Sequence, residues 1–280
     1  MATSRLTFRD KSADVCWQKT LRDSYSAEGV PPVPHLDVGR AIVKPTSRKI
    51  AESIILKYEW LGTMASGVNR FYGIFFGDFC AGVTTFAPAG YNLPSLAKSL
   101  GVDGDKLAYL GRGANAHWSP KGANSKLIAW SLRYEEKDGR KIAVAFSDTD
   151  AGEIGTIYQA CNWVYIGVGS IWNQWVSPLG KIWSFNRFTT WAKDNGISTS
   201  KGRKLLHDAG WIEQKTNPKH RYVYILDKKD KLLRDMVEKM RQPYPKRGAG
   251  ETDNAPETNQ ETGGASPTAP LSMVTNGTPD

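Results

Sequence analysis

The 280-residue chain predicts a mixed α/β fold, in which helices flank a central mixed sheet and a basic helix-plus-wing extension follows. Three observations predict it. Residues 46–165 read in the order helix, hairpin, strand, helix, strand, helix, which suits a helix-covered mixed layer. Residues 181–225 hold nine basic and three acidic side chains, set on helices and strands of their own. From Gly248 onward the chain is Gly, Thr, Pro, Asn, Glu and Ala, with almost nothing large and apolar to offset the entropy of ordering.

The elements follow in order. The first 40 or so residues are mixed, with an extended Pro-Pro-Val-Pro stretch at 31–34. Thr46 after Pro45 is the expected N-cap of a first helix, with Ile50, Ile54, Leu56 and Tyr58 as its apolar residues and Gly62 just past its end. Arg70 to Phe76 and Phe79 to Phe86 are aromatic and β-branched around Gly77-Asp78, which predicts a tight hairpin. A long loop with Pro88 and Pro94 precedes a strand from Leu107 to Arg112. A helix opening at Lys121-Gly122-Ala123-Asn124-Ser125, a buried strand from Ile142 to Phe146 and a helix from Thr156 to Tyr165 complete the layer.

Beyond it, Ile171–Trp175 and Lys181–Phe185 read as strands joined by Ser177-Pro178-Leu179-Gly180. Helices over about 187–195 and 200–209, a strand from Arg221 to Leu226 and an amphipathic helix over 227–241 follow. The expected division is therefore 1–44 as an N-terminal extension, 45–180 as the catalytic core, 181–242 as a basic extension and 243–280 as a disordered tail.

Charge narrows the partner. The chain carries 37 Lys and Arg against 28 Asp and Glu, a net +9. The last 38 residues hold two basic and five acidic residues, so the preceding 242 carry +12. A body this basic favours a polyanion. No apolar run approaches the ~18 residues of a membrane span, and Met1 to Asp10 has no apolar core of a secretory signal. Cys16, Cys80 and Cys161 lie far apart with no CxxC pair, which excludes a disulfide framework and suits a reducing cytoplasm. His35, His117, His207 and His220 are scattered without metal-ligand spacing, so no metal site is expected.

The chemistry is concentrated between the buried strand and the helix at 156. Asp148, Asp150, Glu153 and Tyr158 fall within eleven positions at a strand's carboxyl end, where open α/β sheets bind ligands. A carboxylate there serves as a general base and a tyrosine one turn on as a general acid, or else the acids merely cap and favour a helix N-terminus.

Gly155-Thr-Ile-Tyr-Gln-Ala-Cys-Asn-Trp-Val-Tyr-Ile-Gly167, preceded by Ser147-Asp148, resembles the signature of the Mom-like phage DNA-modification proteins. Tyr58-Glu-Trp-Leu-Gly-Thr-Met64 and Leu110-Gly-Arg-Gly113 look like their other shared blocks, so the similarity covers about residues 45–225. The resemblance implies a GNAT-like acyltransferase fold, an acyl-type transfer to a base amine in double-stranded viral DNA, and protection from host restriction in the cytoplasm of the infected bacterium. It points to Asp148 and Tyr158 as catalytic residues with Ser147 and Asn162 as supports. Where related proteins place a histidine and a tyrosine before the glycine near the first helix, this chain has Glu59 and Trp60, which favours an already modified base as acceptor.

The implied donor is acetyl-CoA or another acyl-CoA, inferred from the fold. Lys121, Gly122, Ala123, Asn124 and Ser125 stand where backbone amides at a helix N-terminus would hold its pyrophosphate, without the usual Arg/Gln-x-x-Gly-x-Gly/Ala spacing. The same residues also read as an ordinary helix start. Gly111 and Arg112 would polarise the acyl carbonyl from the strand before. Cys161 reads as a small buried hydrophobe rather than a nucleophile.

Arg187, Lys201, Arg203, Lys204, Lys219 and Arg221 are the expected phosphate contacts of the helix-plus-wing segment. Trp172, Trp175, Trp183 and Phe185 either stack on bases or fill a core, with core packing expected for at least half. Two other readings remain at this level: Mom-type carbamoylmethylation of adenine, and a non-catalytic DNA-binding protein on the same fold.

Overall fold

The computed structural model describes residues 16–246, apart from 66, 89–92 and 181 and the side chains of Trp17 and Asn186. The tail expected to be disordered lies outside the described residues from 247 onward, as do the first 15 residues.

Ten strands and eight α-helices are described: α1 (Trp17–Asp23), β1 (Ile42–Pro45), α2 (Arg48–Tyr58), β2 (Arg70–Phe76), β3 (Phe79–Pro88), α3 (Pro94–Ser99), β4 (Leu107–Asn115), α4 (Ala123–Lys137), β5 (Ile142–Ser147), α5 (Thr156–Ala160), β6 (Val164–Val168), β7 (Asn173–Val176), β8 (Ile182–Ser184), α6 (Phe185–Asp194), α7 (Thr199–Asp208), β9 (Ile212–Lys215), β10 (His220–Ile225) and α8 (Lys231–Met240). Seven strands form one sheet in the order β1-β2-β3-β4-β5-β10-β6. Every pairing in it is antiparallel except β4 with β5.

Alternation along β5 sorts the two faces. Ala143 and Ala145 join a core with Leu127, Ile128 and Leu132 of α4, while Ile142 and Val144 join one with Leu96 of α3 and Leu233 and Val237 of α8. On β3, Thr84 bonds Ser131 of α4 at 2.8 Å, whereas Val83 packs with Ala51, Ile54 and Ile55 of α2. The sheet is thus covered on both sides, which is the mixed, helix-flanked class the sequence predicts.

The β4–β5 pair is short. It runs only from Leu107–Leu110 against Ile142–Ala145, although β4 continues to Asn115 and β5 to Ser147. Past these residues the strands part. At the same level β3 pairs Thr85 with Arg112 and Phe86 with Leu110, so Gly111 is the extra residue of a bulge. The bulge shifts side-chain parity, turning Leu110 to the α4 core and Ala114 to the α2 core.

Five expectations need correction. The first helix is capped by Ser47, whose Oγ accepts from Ile50 N, rather than by Thr46, and it ends at Tyr58. The helix expected over Thr156–Tyr165 stops at Ala160, and Val164–Val168 is instead a strand. Asn162 sits at φ 58°, with Asn162 N bonded to Gln159 O and Trp163 N to Tyr158 O, a Schellman end that turns the chain into β6. The loop after Pro88 contains α3, begun by Pro94 at its first turn. Finally, residues 181–242 are not one extension. Strands β8-β7-β9 form a separate sheet, with α6 and α7 beside it around buried Trp175, Trp183, Phe188, Leu206 and Trp211. The chain then returns as β10 between β5 and β6, because His220–Ile225 pairs antiparallel with both. The boundary expected at residue 45 likewise falls on the last residue of β1, which pairs with β2.

Candidate active site

Ser147 ends β5 fully buried, at 1% exposure, with no partner for its hydroxyl among the described residues. Asp148 follows as the cap of a 3-10 turn over Thr149–Ala151, its Oδ1 accepting from Asp150 N at 3.1 Å. Its Oδ2 lies 2.8 Å from Lys219 Nζ. Glu153 folds back on this turn, and its Oε2 accepts from Asp148 N at 3.3 Å. Burial pushes the Glu153 carboxyl up to about 7; the amide of Asp148 opposes this, and the charges of Asp148 and Glu59 add to it.

Glu59 reaches the same region from the end of α2. It is buried, and its Oε2 accepts from Leu61 N at 2.8 Å and Gly62 N at 3.1 Å. Burial raises its carboxyl, and Arg112, 3.9 Å away, offsets part of the rise. Arg112 is fixed in turn by Nε donating to Thr63 O at 3.1 Å. Three carboxylates and two cations therefore converge from α2, β4, the loop after β5 and the residue before β10. Sequence reasoning treated Glu59 as a departure from a pattern and Lys219 as a DNA contact. Their meeting depends on the sheet order, which no local spacing reveals.

The Gly155–Gln159 motif has a packing role in this structure. A β-carbon on Gly155, at φ 69°, would lie 2.3 Å from the Tyr222 ring, so only glycine lets α5 start so close to β10. Tyr222 donates to Ile154 O at 2.5 Å, and Gln159 Nε2 donates to the same carbonyl at 2.8 Å. Between these clamps Tyr158 packs against Trp163 and Tyr222, with ring centroids 5.2 and 5.3 Å apart. Its hydroxyl has no hydrogen-bond partner among the described residues. Burial first, and the nearby Glu153 charge second, hold it protonated far above the ordinary tyrosine range. Asn162 is exposed and serves the helix end described above. Burial also raises the Cys161 thiol, while a hydrogen bond with Ser125 opposes that rise, consistent with an inert residue rather than a nucleophile.

On the other side of α5, a cavity of about 390 Å³ opens at the N-terminus of α4. Arg22, Asn115, His117, Lys121, Gly122 and Asn124 line it, and Ile157 of α5 closes its wall. Gly122 caps the helix at φ 89° with no side-chain cap. The Ala123 amide is bonded to Pro120 O, but those of Gly122, Asn124 and Ser125 have no partner among the described residues. Free amides at the positive end of a fifteen-residue helix, beside Arg22 and Lys121, fit a phosphate-bearing ligand. Of the expected donor residues, Lys121, Gly122 and Asn124 line this cavity, Ala123 is buried beneath it and Ser125 turns to Cys161. Gly111 and Arg112 lie where β4 leaves β5.

The six expected phosphate contacts separate. Arg187, Lys201, Arg203 and Lys204 lie on α6 and α7 of the small sheet's module, with Arg203 3.5 Å from Glu213 and Arg187 over the Trp183 ring. Lys219 and Arg221 stand at and within β10, and Arg221 is half-buried, donating to Ile166 O at 3.4 Å. Trp175 and Trp183 are core, whereas Trp172 is 58% exposed. Among the described residues no group of three or more His, Cys, Asp or Glu is arranged to hold a metal ion, and no helix is long and apolar enough to cross a membrane.

The model of the Mom protein family matches residues 40–246. No curated protein matches the chain. Among solved structures, the chain is similar to an IAA acetyltransferase from Bacillus cereus at 15% identity and a TM-score of 0.37, over 66% of this chain and 99% of that one. It is similar to FeeM, an N-acyl amino acid synthase from uncultured soil microbes, at 13% identity and 0.39, over 68% and 92%. A GNAT family acetyltransferase from Elizabethkingia anophelis with acetyl-CoA bound aligns at 11% identity and 0.36, over 66% and 97%.

Proposed function

The chain belongs to the Mom protein family, and from that premise we propose that it is an N-acyltransferase that modifies a base amine in double-stranded viral DNA. In this reading it acts in the host cytoplasm and shields the DNA from restriction. The observation that carries the reading is the position of α5, with Ile157 on the α4 cavity and Tyr158 beside the acidic loop. One short helix thus separates a phosphate-type site from a proton-handling site.

The donor is an acyl-CoA, preferably acetyl-CoA, with its phosphates against Lys121, Gly122 and the free amides of α4. Bound there, it supplies an electrophilic thioester carbon. The acceptor meets Asp148 and Glu153: an ammonium first gives one proton to Glu153, and the amine so freed loses a second to Asp148 as nitrogen bonds to that carbon. Gly111, unpaired on β3, turns its amide to the developing oxyanion at the parting of β4 and β5. The carbon–sulfur bond breaks, and the protonated Tyr158 hydroxyl gives its proton to the departing thiolate. The basic module of α6 and α7 holds the phosphate backbone of the duplex.

The buried carboxylates at Glu59 and Glu153 favour an alkylamine, such as an aminomethyl group on a pyrimidine, over the adenine amine. An ammonium enters a negative pocket more easily than a neutral aryl amine. The test is nucleoside mass spectrometry after incubating the protein and acetyl-CoA with ordinary DNA and with DNA carrying aminomethylated pyrimidines. An acetyl increment on the aminomethylated base supports the reading. No product on either DNA removes it, in favour of carbamoylmethyl transfer from another donor or of DNA binding without catalysis.

A further inference from the structure

The segment 216–219 runs between the acidic loop and an exposed aromatic ring. On its acidic flank Lys219 Nζ meets Asp148 Oδ2 at 2.8 Å, Asn217 Nδ2 donates to Asp150 Oδ1 at 2.7 Å and Thr149 Oγ1 donates to Pro218 O at 3.1 Å. On the other flank Gly169 N donates to Lys219 O at 2.8 Å. There too Thr216 N donates to Trp172 O at 2.8 Å, and Trp172 N donates to Thr216 Oγ1 at 3.1 Å. The next residue, His220, pairs with Ser147 on one side and Val168 on the other, so the two flanks stand two strand spacings apart, about 10 Å. Trp172 is 58% exposed and its neighbour Ile171 53%, in the connection from β6 to β7. The Trp172 ring has a firm base. Its backbone is tied twice to Thr216, and its centroid lies 6.3 Å from that of Phe185, which in turn packs on the buried Phe188.

We propose that Trp172 is the wedge that enters a DNA duplex where the target base leaves it, its ring stacking in the gap while the extruded base reaches Asp148 across the 216–219 segment. This rests on the reading that the chain modifies a base in double-stranded DNA. The carboxylates are recessed, with the side chains of Asp148 and Glu59 13% and 7% exposed. An amine within a bond or two of a base edge therefore reaches them only once that base has left the stack. Extrusion opens a gap whose two faces are base rings, and an aromatic side chain on an anchored backbone fills it at little cost in entropy. The surroundings carry the charge that a duplex requires. Lys215 stands opposite Asn173 in the register, beside Trp172, and residues 181–225 hold nine basic side chains against three acidic ones. That charge favours a nucleic acid over an apolar protein surface as the occupant of the ring.

The experiment is a fluorescence-anisotropy titration of two labelled duplexes, one intact and one with a single abasic site, by the full chain without acyl donor. Native protein, Trp172→Ala and Trp172→Phe are compared, with thermal melting as the folding control; the ring is exposed, so all three are expected to melt alike. The native protein is expected to bind the abasic duplex, where the gap is already open, roughly 10-fold more tightly than the intact one. Alanine should remove most of that preference while leaving affinity for the intact duplex and its salt slope unchanged, and phenylalanine should keep part of it. The same preference in native protein and Trp172→Ala, or none in the native protein, overturns the wedge and leaves the DNA reading standing. No binding of either duplex by the native protein removes both. A native dimer in sedimentation that becomes a monomer in Trp172→Ala places the ring between two copies of the chain and overturns the proposal. With no donor present, acyl transfer can fail in its own assay without altering any of these outcomes.

Discussion

Lys219 Nζ lies 2.8 Å from Asp148 Oδ2, joining the residue that leads into β10 to the loop that leaves β5. The pair is neutral as a whole, which leaves Glu59, Glu153 and Arg112 to decide the net charge of the candidate site. Its carboxylate is the acceptor of one proton in the proposed reaction, and the charge of its ammonium opposes the rise that burial imposes on Glu153.

Asp148→Asn and Tyr158→Phe are expected to abolish base modification, by about 100-fold or more each, while leaving duplex affinity unchanged. Both replacements keep shape and remove a proton-transfer function. Product formation by nucleoside mass spectrometry, set against a DNA-binding titration, checks the pair; full activity in either removes that residue from the site.

Glu153 gives the modification rate a limb near pH 7, rising as its carboxyl ionises. Glu59→Gln deletes a charge that raises Glu153 and should move the limb to lower pH. Lys219→Met deletes one that lowers it and should move the limb higher. The same shift bears on folding. Because the folded value lies above the ordinary 4.5, the folded state binds the extra proton, so stability falls as pH rises from about 4.5 to about 7. Melting of Glu153→Gln across that range should be flatter than that of the native protein.

Gly155→Ala should destabilise the chain by more than about 2 kcal/mol, since the added carbon meets the Tyr222 ring and a left-handed backbone becomes strained. Urea unfolding measures this, and a loss within error would mean that α5 moves away from β10 at little cost.

Arg70→Ala should cost about 3–5 kcal/mol. Glu135 is fully buried on α4, with Arg70 Nε at 2.8 Å and the Tyr72 hydroxyl donating at 2.8 Å, so the variant strands a buried charge. Glu135→Gln in the Arg70→Ala background should recover part of the loss, which chemical denaturation can resolve.

Lys201→Ala with Lys204→Ala should weaken duplex binding and lower its salt slope by roughly 2, one per phosphate contact. Arg203→Ala should change it less, because Glu213 already holds that guanidinium. An unchanged slope in the double variant would take α7 out of the interface.

Local signals made much of the sheet legible. The Gly77-Asp78 hairpin and the strands at 107 and 142 follow from alternation and turn residues, and they appear as β2, β3, β4 and β5. The strand Val164–Val168 was hidden because it follows a five-residue helix with no polar break, and only Asn162 at positive φ marks the change. In the site, Asp148, Glu153 and Tyr158 are legible because eleven residues contain them. Glu59 and Lys219 are not, since they reach that loop through strand order alone. That Arg22 lines the α4 cavity was hidden for a similar reason, since it depends on Gln18 bonding the end of α2.

The return of β10 between β5 and β6 has a consequence for synthesis. A ribosome releases β5 and β6 well before the strand that must lie between them, and the whole tryptophan-rich module emerges in the interval. The nascent sheet therefore holds two buried-type edges apart until residue 225 appears, with open backbone groups that any stray strand could pair. Cells producing the protein face their greatest aggregation hazard in that window, and a chain cut short inside the module leaves the hazard permanent.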